Sequence, residues 1–267
     1  MARTAVGPLV REWRIRRRRS QLDLALDAGV SPRHLSFIET GRSRPSPELL
    51  LLLADRLEVP LRERNRLLLA AGYAPRYSEM SLDEADMAPV RDAMSQMLDG
   101  VDPWPAIVID RKGDVVMTNA GAAVFLDGVE QDVLAPMPNL FRLTLHPRGV
   151  SGRIVNFPEV AAFTVAQLRR LAAATGDPAV VELLAEVTAY PNVAALDAEP
   201  GAFDAGDQLV VPLRVRHHSG ELAMFSTMTV FGTPVDVTVA ELAIETFFPA
   251  DEHTAEVLRA RARATTA

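Results

Sequence analysis

The sequence predicts an α+β fold, in which an all-α region of five short helices precedes an antiparallel sheet with helices on one side. Up to Gly72, apolar residues recur at helical spacing in short segments between cap residues. Later in the chain, β-branched runs are bounded by turn residues, as in strands. Residues 1–78 contain 15 arginines and 8 acidic residues, whereas residues 79–267 contain 13 basic and 27 acidic side chains. We therefore expect a basic domain that meets a polyanion, joined to an acidic domain with another role.

Five helices are predicted in the basic region. Ser20 is a suitable N-cap with an acid three residues later, and Gly29 ends that helix where a positive φ is needed. Ser31 caps the next helix, which Gly41 ends, and Ser46 starts the fourth. The helical segments are "GPLVREWRIRRRR", "SQLDLALDAG", "SPRHLSFIET", "SPELLLLLADRLEV" and "PLRERNRLLLAAG". Because only "AGVS" separates the second helix from the third, the two must turn sharply against each other, which predicts a helix-turn-helix unit.

The third of these helices is predicted to enter the major groove of DNA. Leu35 and Ile38 fall on its inward face, whereas Arg33 and Phe37 point outward near the end that such helices insert. Arg33 suits the N7 and O6 acceptors of guanine, and Phe37 suits a thymine methyl group. Arginines just after the helix suit phosphate oxygens. The alternative is a helical bundle with a solvated basic face, which the run "RIRRRR" at 14–19 would indicate by itself.

The segment "SQLDLALDAGVSPRHLSFIETGRSRPSPELLLLLADRLEVP" resembles the Cro/C1-type helix-turn-helix domain of Xre-family regulators. The matching positions are Gln21, Ala25, Val30, Ser31, Ile38, Glu39, Gly41 and Pro45. "PLRERNRLLLAAGYAPRY" is similar to the segment that closes this domain in MmyB-like transcriptional regulators. By position, the resemblance implies a DNA-contacting set of Gln21, Ser31, Pro32, Arg33, Ser36, Phe37, Arg42 and Arg44. Pro32 and Phe37 differ from the polar residues often found there, so no base preference is transferred.

A polar and acidic stretch follows the helical region and predicts a linker. The expected parts of the chain are a DNA-binding domain at 1–73, a linker with a connecting helix at 74–100, and a second domain at 101–267. The connecting helix has an apolar stripe formed by Val90, Met94, Met97 and Leu98. This stripe either packs on the second domain, which is favoured, or pairs with its copy in a dimer.

The second domain is predicted to open with a strand, a hairpin turn, a strand and a helix in "PAIVIDRKGDVVMTNAGAAVFL". Three helices follow in "PNLFRLTLHP", "NFPEVAAFTVAQLRRLAAATG" and "DPAVVELLAEVTA", the second of them capped by Asn156. Three strands come last, in "QLVVPLRVRHH", "ELAMFSTMTVF" and "AELAIETFFP", before a polar helix at 251–263. This order favours an antiparallel sheet with the helices grouped on one side.

The opening of this domain resembles that of PAS domains, in which a sheet and a few helices enclose a small-molecule cavity. "NLFRLTLHPRG" and "TVAQLRRLA" also resemble the PAS-like C-terminal domain of MmyB-like regulators, which implies a fatty-acid-like ligand. An acyl chain needs an apolar tube, and its carboxylate needs a donor such as Arg142. The candidate ligand-binding residues are Trp104, Asn139, Phe141, Arg142, His146, Phe163, Met224 and Phe225. The alternative is that Arg142 pairs with a carboxylate such as Glu159 and that the aromatic residues are ordinary core.

Several function classes find little support in the sequence. With no cysteine, the chain offers neither disulfides nor thiolate metal ligands. None of the five histidines lies in a metalloenzyme motif, and neither a nucleophile elbow nor a phosphate-binding glycine loop is present. We therefore expect no enzyme, no metal site and no cofactor other than a possible bound fatty acid. No apolar run reaches the length of a membrane span, which favours a soluble, cytoplasmic protein without a membrane partner.

These observations together predict a sequence-specific transcription regulator that binds double-stranded DNA, most simply as a homodimer, and senses an apolar, fatty-acid-like small molecule. The alternative is a DNA-binding protein whose second domain is a ligand-free scaffold for dimerisation or partner binding. A third reading, an enzyme fused to a DNA-binding domain, would need a catalytic constellation that the sequence does not show.

Overall fold

The computed structural model describes residues 6–135, 137–197 and 210–266, and the chain forms two compact units. The first unit comprises Met1–Ser81 and Thr233–Ala240, and the second comprises Leu82–Gly232 and Glu241–Ala267. The chain therefore passes between the units three times. The connecting helix, which was expected in a linker, is part of the second unit.

The first unit is helical, and the five helices predicted for it are present. Numbered in chain order, its helices are α1 Val6–Arg16, α2 Gln21–Asp27, α3 Pro32–Glu39, α4 Pro47–Arg56, α5 Leu61–Ala70 and the short α11 Val237–Ala240. Together with the antiparallel sheet of the second unit, they confirm the α+β fold class.

Local sequence accounts for where these helices begin. The Ser20 hydroxyl accepts from the Asp23 N–H at 3.1 Å while the Asp23 carboxylate accepts from the Ser20 N–H at 3.3 Å. Ser31 accepts from the His34 N–H at 3.1 Å, and Ser46 caps α4 in the same way. These bonds satisfy donors that have no partner within a helix, so the three predicted N-caps are confirmed.

The inward face of α3 is fixed by the core of the first unit. Leu35 and Ile38 are fully buried and pack with Leu24 of α2, as their helical spacing predicts. Gly7 of α1 lies so close to α3 that a Cβ atom there would be 2.4 Å from the Ile38 carbonyl oxygen. Only glycine permits this approach, which brings α1 directly against the back of α3.

The second unit contains six α-helices and five strands within its described residues. Its helices are α6 Ala88–Val101, α7 Leu140–Leu145, α8 Phe157–Thr175, α9 Pro178–Thr188, α10 Pro191–Asp197 and α12 Glu252–Thr266. Its strands are β1 Ala106–Ile109, β2 Val115–Thr118, β3 Leu213–His217, β4 Gly220–Val230 and β5 Ala243–Pro249. The strands form one antiparallel sheet in the order β2-β1-β5-β4-β3.

Helices pack against both faces of this sheet, whereas the sequence predicted them on one side only. On one face, Met94 of α6 packs in a cluster with Val108 of β1, which confirms that the connecting helix packs on the second domain. Met97, which was assigned to the same apolar stripe, is exposed. Ile107 of β1 and Phe247 of β5 point to the opposite face, where they pack in a separate cluster. That opposite face carries the cavity described below.

The predicted cap of α8 has a different role in the structure. The Asn156 side chain makes no capping hydrogen bond to α8. Its Nδ2 donates to the Pro212 carbonyl at 2.8 Å, and its Oδ1 accepts from the Arg214 N–H at 3.1 Å. These bonds hold the residues at the start of β3. The strand begins at Leu213, which is later than predicted. Residues 208 and 209 of the predicted strand lie outside the described residues.

Short elements account for the remaining differences from the predicted fold. The predicted helix in "AGAAVFL" is a 3-10 helix over Ala120–Phe125, and neither α10 nor α11 was predicted. Each of these elements has seven residues or fewer, so at most two helical turns are available to show a period. Among the described residues, no helix combines the length and the apolar character that crossing a membrane requires.

Candidate DNA-binding surface and ligand cavity

Helix α3 carries the predicted DNA-contacting residues on its outward side. Ser31, Pro32 and Arg33 are exposed, and Ser36 and Phe37 are half-buried. Because the other side of α3 is part of the core, the outward side has a rigid support. A helix supported in this way can enter a major groove without first becoming ordered.

Phe37 brings two of the predicted arginines together. The guanidinium carbon of Arg33 lies 5.4 Å from the centre of the Phe37 ring, and that of Arg42 lies 5.9 Å from it. At these distances the ring face attracts both cations. The residue predicted to read bases and a residue predicted to contact phosphate therefore share one aromatic platform.

Arg44 is held in place by the turn that follows α5. Its guanidinium carbon lies 4.3 Å from the centre of the Tyr73 ring, and its Nη2 donates to the Gly72 carbonyl at 3.1 Å. The Tyr73 hydroxyl in turn donates to the Pro45 carbonyl at 3.0 Å. A side chain that is already positioned loses less conformational entropy when it binds a phosphate.

Gln21 takes part in a buried network behind this surface. Its Nε2 donates to the Glu39 carboxylate at 2.7 Å, and the Arg14 guanidinium donates to both oxygens of that carboxylate at 2.7 and 2.8 Å. Glu39 is buried, and its hydrogen bond raises the pKa of Arg14. The network joins α1 and α2 to the C-terminal end of α3. The second N–H of Nε2 is the one that a phosphate oxygen would use.

In the basic run at 14–19, several arginines bind other residues of the first unit instead of only forming a solvated face. Arg14 pairs with Glu39, and Arg17 donates to the Leu57 and Glu58 carbonyls at 2.9 and 3.0 Å. Arg19 pairs with Asp27 at 2.8 Å. Sequence analysis did not identify these partners, because they lie far away along the chain.

The second unit contains a cavity on the sheet face opposite α6. Its volume is about 230 Å³. One water molecule needs roughly 10–15 Å³ on the same measure, so the space is far larger than a packing defect. Most of its wall is apolar, including Ile107, Val115, Leu126, Leu140, Leu143 and Phe247. A cavity of this size and character fits a small apolar molecule.

Seven polar side chains interrupt the apolar wall of the cavity. They are Thr118, Asn119, Thr144, Thr164, Gln167, Ser226 and Glu245. Asn119 is engaged with the backbone, because its Oδ1 accepts from the Ala106 N–H at 2.9 Å and its Nδ2 donates to the Trp104 carbonyl at 2.8 Å. Glu245 is the one ionisable side chain among the described lining residues, and its burial raises its pKa.

Sequence analysis missed this polar set. The available signal was in β5, where Glu245 lies between inward-facing Ala243 and Phe247 in a strand that is otherwise rich in apolar residues. A glutamate at an inward position of such a strand indicates a site.

The structure brings only two of the predicted ligand-binding residues to the cavity, Phe141 and Phe163. Arg142 lies outside the lining and pairs with Glu186, with its Nε and Nη2 donating to the two oxygens at 2.8 and 2.7 Å. The Tyr190 hydroxyl donates to the same carboxylate at 2.6 Å. Arg142 therefore forms an ion pair, as the alternative expected, but with Glu186 instead of Glu159.

This ion pair has a clear electrostatic signature. The hydrogen bond from Arg142 lowers the pKa of Glu186 and raises the pKa of Arg142. Burial, followed by the hydrogen bond to Glu186, raises the pKa of Tyr190. His146, predicted to share a ligand with Arg142, instead packs edge-on against the Tyr190 ring at 4.9 Å. The residues predicted to bind a carboxylate therefore form a separate cluster outside the cavity lining.

The other four predicted ligand-binding residues have structural roles. The Asn139 side chain caps α7 and donates to the Lys112 carbonyl at 2.9 Å. Met224 is fully buried in the core of the second unit, and Trp104 packs at the edge of that core. Phe225 is partly exposed and stacks on the Phe248 ring. Met224 and Trp104 therefore belong to the core, as the alternative interpretation held for large apolar residues, whereas Phe225 lies at the surface.

Among the described residues, no cluster of three or more histidine, cysteine, aspartate or glutamate side chains is placed to hold a metal ion. A search of the curated proteins finds no match. A solved structure titled "Structure of an RNA-binding Light-Oxygen-Voltage Receptor" is 12% identical over 99% of this chain, with a TM-score of 0.24. The chain spans 64% of that protein's length. At this level of similarity the match carries no argument about fold or function.

Two family models match the chain. A helix-turn-helix model matches residues 10–64, which contain the surface of α3. The model described as "MmyB-like transcription regulator ligand binding domain" matches residues 90–260, which contain the cavity and cover more than half of the chain. The resemblance stated for the sequence is thereby confirmed. The chain belongs to the MmyB-like transcription regulators of the Xre family, and is a DNA-binding regulator with a ligand-binding domain.

Proposed function

We propose that the chain binds operator DNA in the cytoplasm as a homodimer, and that an apolar, fatty-acid-like molecule in the PAS-like second unit controls this binding. The observation that carries the proposal is the cavity of about 230 Å³ with its largely apolar wall. An acyl chain fits such a wall because burying its methylene groups removes apolar surface from water.

For the DNA, the proposed contacts are the exposed residues of α3 and the arginines that follow it. Arg33 reads base edges, while Arg42 and Arg44 contact phosphates. Ser31, Pro32, Ser36 and Phe37 complete the outward surface, and Gln21 reaches a phosphate from the start of α2. One α3 covers one half-site, so two copies would bind two half-sites about 34 Å apart on one face of the duplex.

For the ligand, the proposed contacts are the residues that line the cavity, including Phe141 and Phe163. The path to the DNA runs through β4 and β5. Both strands contribute to the lining, and the segment Thr233–Ala240 that connects them is part of the DNA-binding unit. A ligand that favours one arrangement of these strands would therefore bias the DNA-binding unit as well.

Native mass spectrometry of freshly purified protein tests the sensor function. We expect the unaltered protein to retain an apolar ligand, and Ala123→Phe to lose it, because this substitution fills the cavity. Ala185→Phe adds the same ring at an exposed position of α9 and is the matched control. A ligand-free protein whose melting temperature ignores added fatty acids, alcohols and amines of 12 carbons would favour the ligand-free scaffold instead.

A further inference from the structure

Glu245 occupies an unusual position in the wall of the cavity. It lies in β5, the central strand of the sheet, opposite Ile107 of β1 and Met228 of β4. Strand alternation places its side chain on the same face as Phe247, which also lines the cavity. A carboxyl group is therefore directed at the ligand space from a rigid element.

The protein offers the Glu245 carboxyl group few hydrogen-bond donors and no positive charge among the described lining residues to offset its burial. The Ser226 side chain on β4 is close enough to oppose the effect of burial on the pKa of Glu245. The other described lining residues are apolar or neutral, and they include no lysine, arginine or histidine. Burial dominates, so the pKa of Glu245 is raised. A carboxyl group that is partly buried in an apolar wall lowers its free energy when a ligand offers a donor.

The same geometry disfavours an anionic ligand. A carboxylate close to Glu245 would bring two acids together in a medium of low dielectric constant, where like charges repel far more strongly than in water. Arg142, which could have offset that repulsion, is paired with Glu186 and is not part of the lining.

We propose that the ligand of this cavity is an apolar molecule whose polar group donates a hydrogen bond to Glu245, as an alcohol or an amine does, and is not a carboxylate. This inference rests on the proposed sensor function: it keeps the apolar chain of the fatty-acid-like ligand and replaces the carboxylate head group by a hydrogen-bond donor. The apolar wall binds the hydrocarbon chain, while Glu245 and Ser226 form the polar end of the site.

Three probes with the same 12-carbon chain test the head group: dodecan-1-ol, dodecylamine and dodecanoic acid. Binding is measured at pH 7 by displacement of an apolar fluorophore, below the concentration at which each probe forms micelles. We expect the alcohol and the amine to bind at least about tenfold more tightly than the acid, a difference of about 1.4 kcal/mol, because they donate to Glu245 whereas the acid brings a second acid next to it. This ranking uses the unaltered full-length protein.

The variant Glu245→Gln keeps the shape of the side chain and removes its ability to ionise. We expect it to bind the acid about tenfold more tightly and the amine about tenfold more weakly than the unaltered protein does. The control is Glu221→Gln, which removes one negative charge from β4 at a position outside the lining. It separates the effect of Glu245 from the general attraction of an acidic protein for an amine.

The outcomes distinguish this inference from the function on which it rests. If dodecanoic acid binds as tightly as the other two probes, or if Glu245→Gln leaves the ranking unchanged, the head-group assignment is overturned while ligand binding stands. If none of the three probes binds, both the assignment and the sensor function are overturned. The ranking on the unaltered protein decides the question even where the variant does not fold.

Discussion

The Oδ2 atom of Asp236 accepts a hydrogen bond from the Met80 N–H at 3.2 Å, although the two residues are 156 positions apart in the sequence. The Oδ1 atom of Asp236 accepts from the Thr238 and Val239 N–H groups at 2.8 and 3.3 Å. The Val237 N–H donates to the Ser78 carbonyl at 2.8 Å. The buried Asp236 thus holds the segment between β4 and β5 against Ser78 and Met80 of the DNA-binding unit.

Removing this carboxylate is expected to weaken the response of DNA binding to the ligand. Asp236→Ala deletes three hydrogen bonds at a buried site, which should lower the free energy of unfolding by about 1–3 kcal/mol. Fluorescence anisotropy of labelled operator DNA, with and without dodecan-1-ol, measures the response. Val235→Ala, at the neighbouring exposed position, is the control. A full ligand response in Asp236→Ala would show that the connection transmits nothing.

The arginines on either side of Phe37 should differ in what they contribute to DNA binding. If Arg33 reads base edges as proposed, Arg33→Ala is expected to cost about 1–3 kcal/mol at a specific site and much less on random DNA. If Arg42 contacts a phosphate as proposed, Arg42→Ala should weaken binding to both and reduce the slope of log affinity against log salt by about 1.

Titrations of operator and random duplexes at several salt concentrations separate these two effects. Equal losses of affinity for both duplexes in Arg33→Ala would contradict the proposal that Arg33 reads bases. An unchanged slope of log affinity against log salt for Arg42→Ala would contradict the proposed contact between Arg42 and a phosphate.

The buried pair of Arg14 and Glu39 should dominate the stability of the DNA-binding unit. Glu39→Ala leaves the Arg14 guanidinium without its partner, which typically costs about 3–5 kcal/mol. Glu12→Ala breaks the exposed pair with Arg16 and should cost about 0.3–0.5 kcal/mol at most. Urea denaturation followed by circular dichroism compares the two variants. Equal losses would mean that the buried network adds nothing beyond a surface ion pair.

The ion pair of Arg142 and Glu186 should stabilise the second unit in a pH-dependent way without affecting the ligand. Because the pKa of Glu186 is lowered in the folded state, its contribution is present above the unfolded pKa of about 4.3 and is lost as the pH falls through the lower folded value. Both side chains are about 40% exposed, so solvent screening limits the contribution to about 0–1 kcal/mol.

Thermal melts between pH 7 and pH 3 measure this contribution. Glu186→Gln should melt slightly below the unaltered protein at pH 7, and the difference should vanish at the acidic end. Glu182→Gln, one helical turn earlier on α9, is the matched control. Arg142→Gln should bind the 12-carbon probes as the unaltered protein does. A loss of binding in Arg142→Gln would show that Arg142 contributes to ligand binding.

Local patterns in the sequence determined the helices α1 to α5 of the DNA-binding unit. The caps at Ser20, Ser31 and Ser46 and the inward positions of Leu35 and Ile38 depend on neighbours within one helical turn, so spacing alone predicts them. The outward face of α3 follows from the same periodicity. The order of helices and strands in the second domain could also be predicted, because each long element carries its own period.

The tertiary structure alone decided which side chains meet. Arg142 and Glu186 are 44 positions apart, and Arg14 and Glu39 are 25 positions apart, so no local pattern links them. The register of β5 against β1 and β4 directs Glu245 into the cavity beside Ser226. A shift of one residue would turn that carboxyl to the opposite face, because strand side chains alternate. The polar part of the cavity wall therefore exists only through packing between distant parts of the chain.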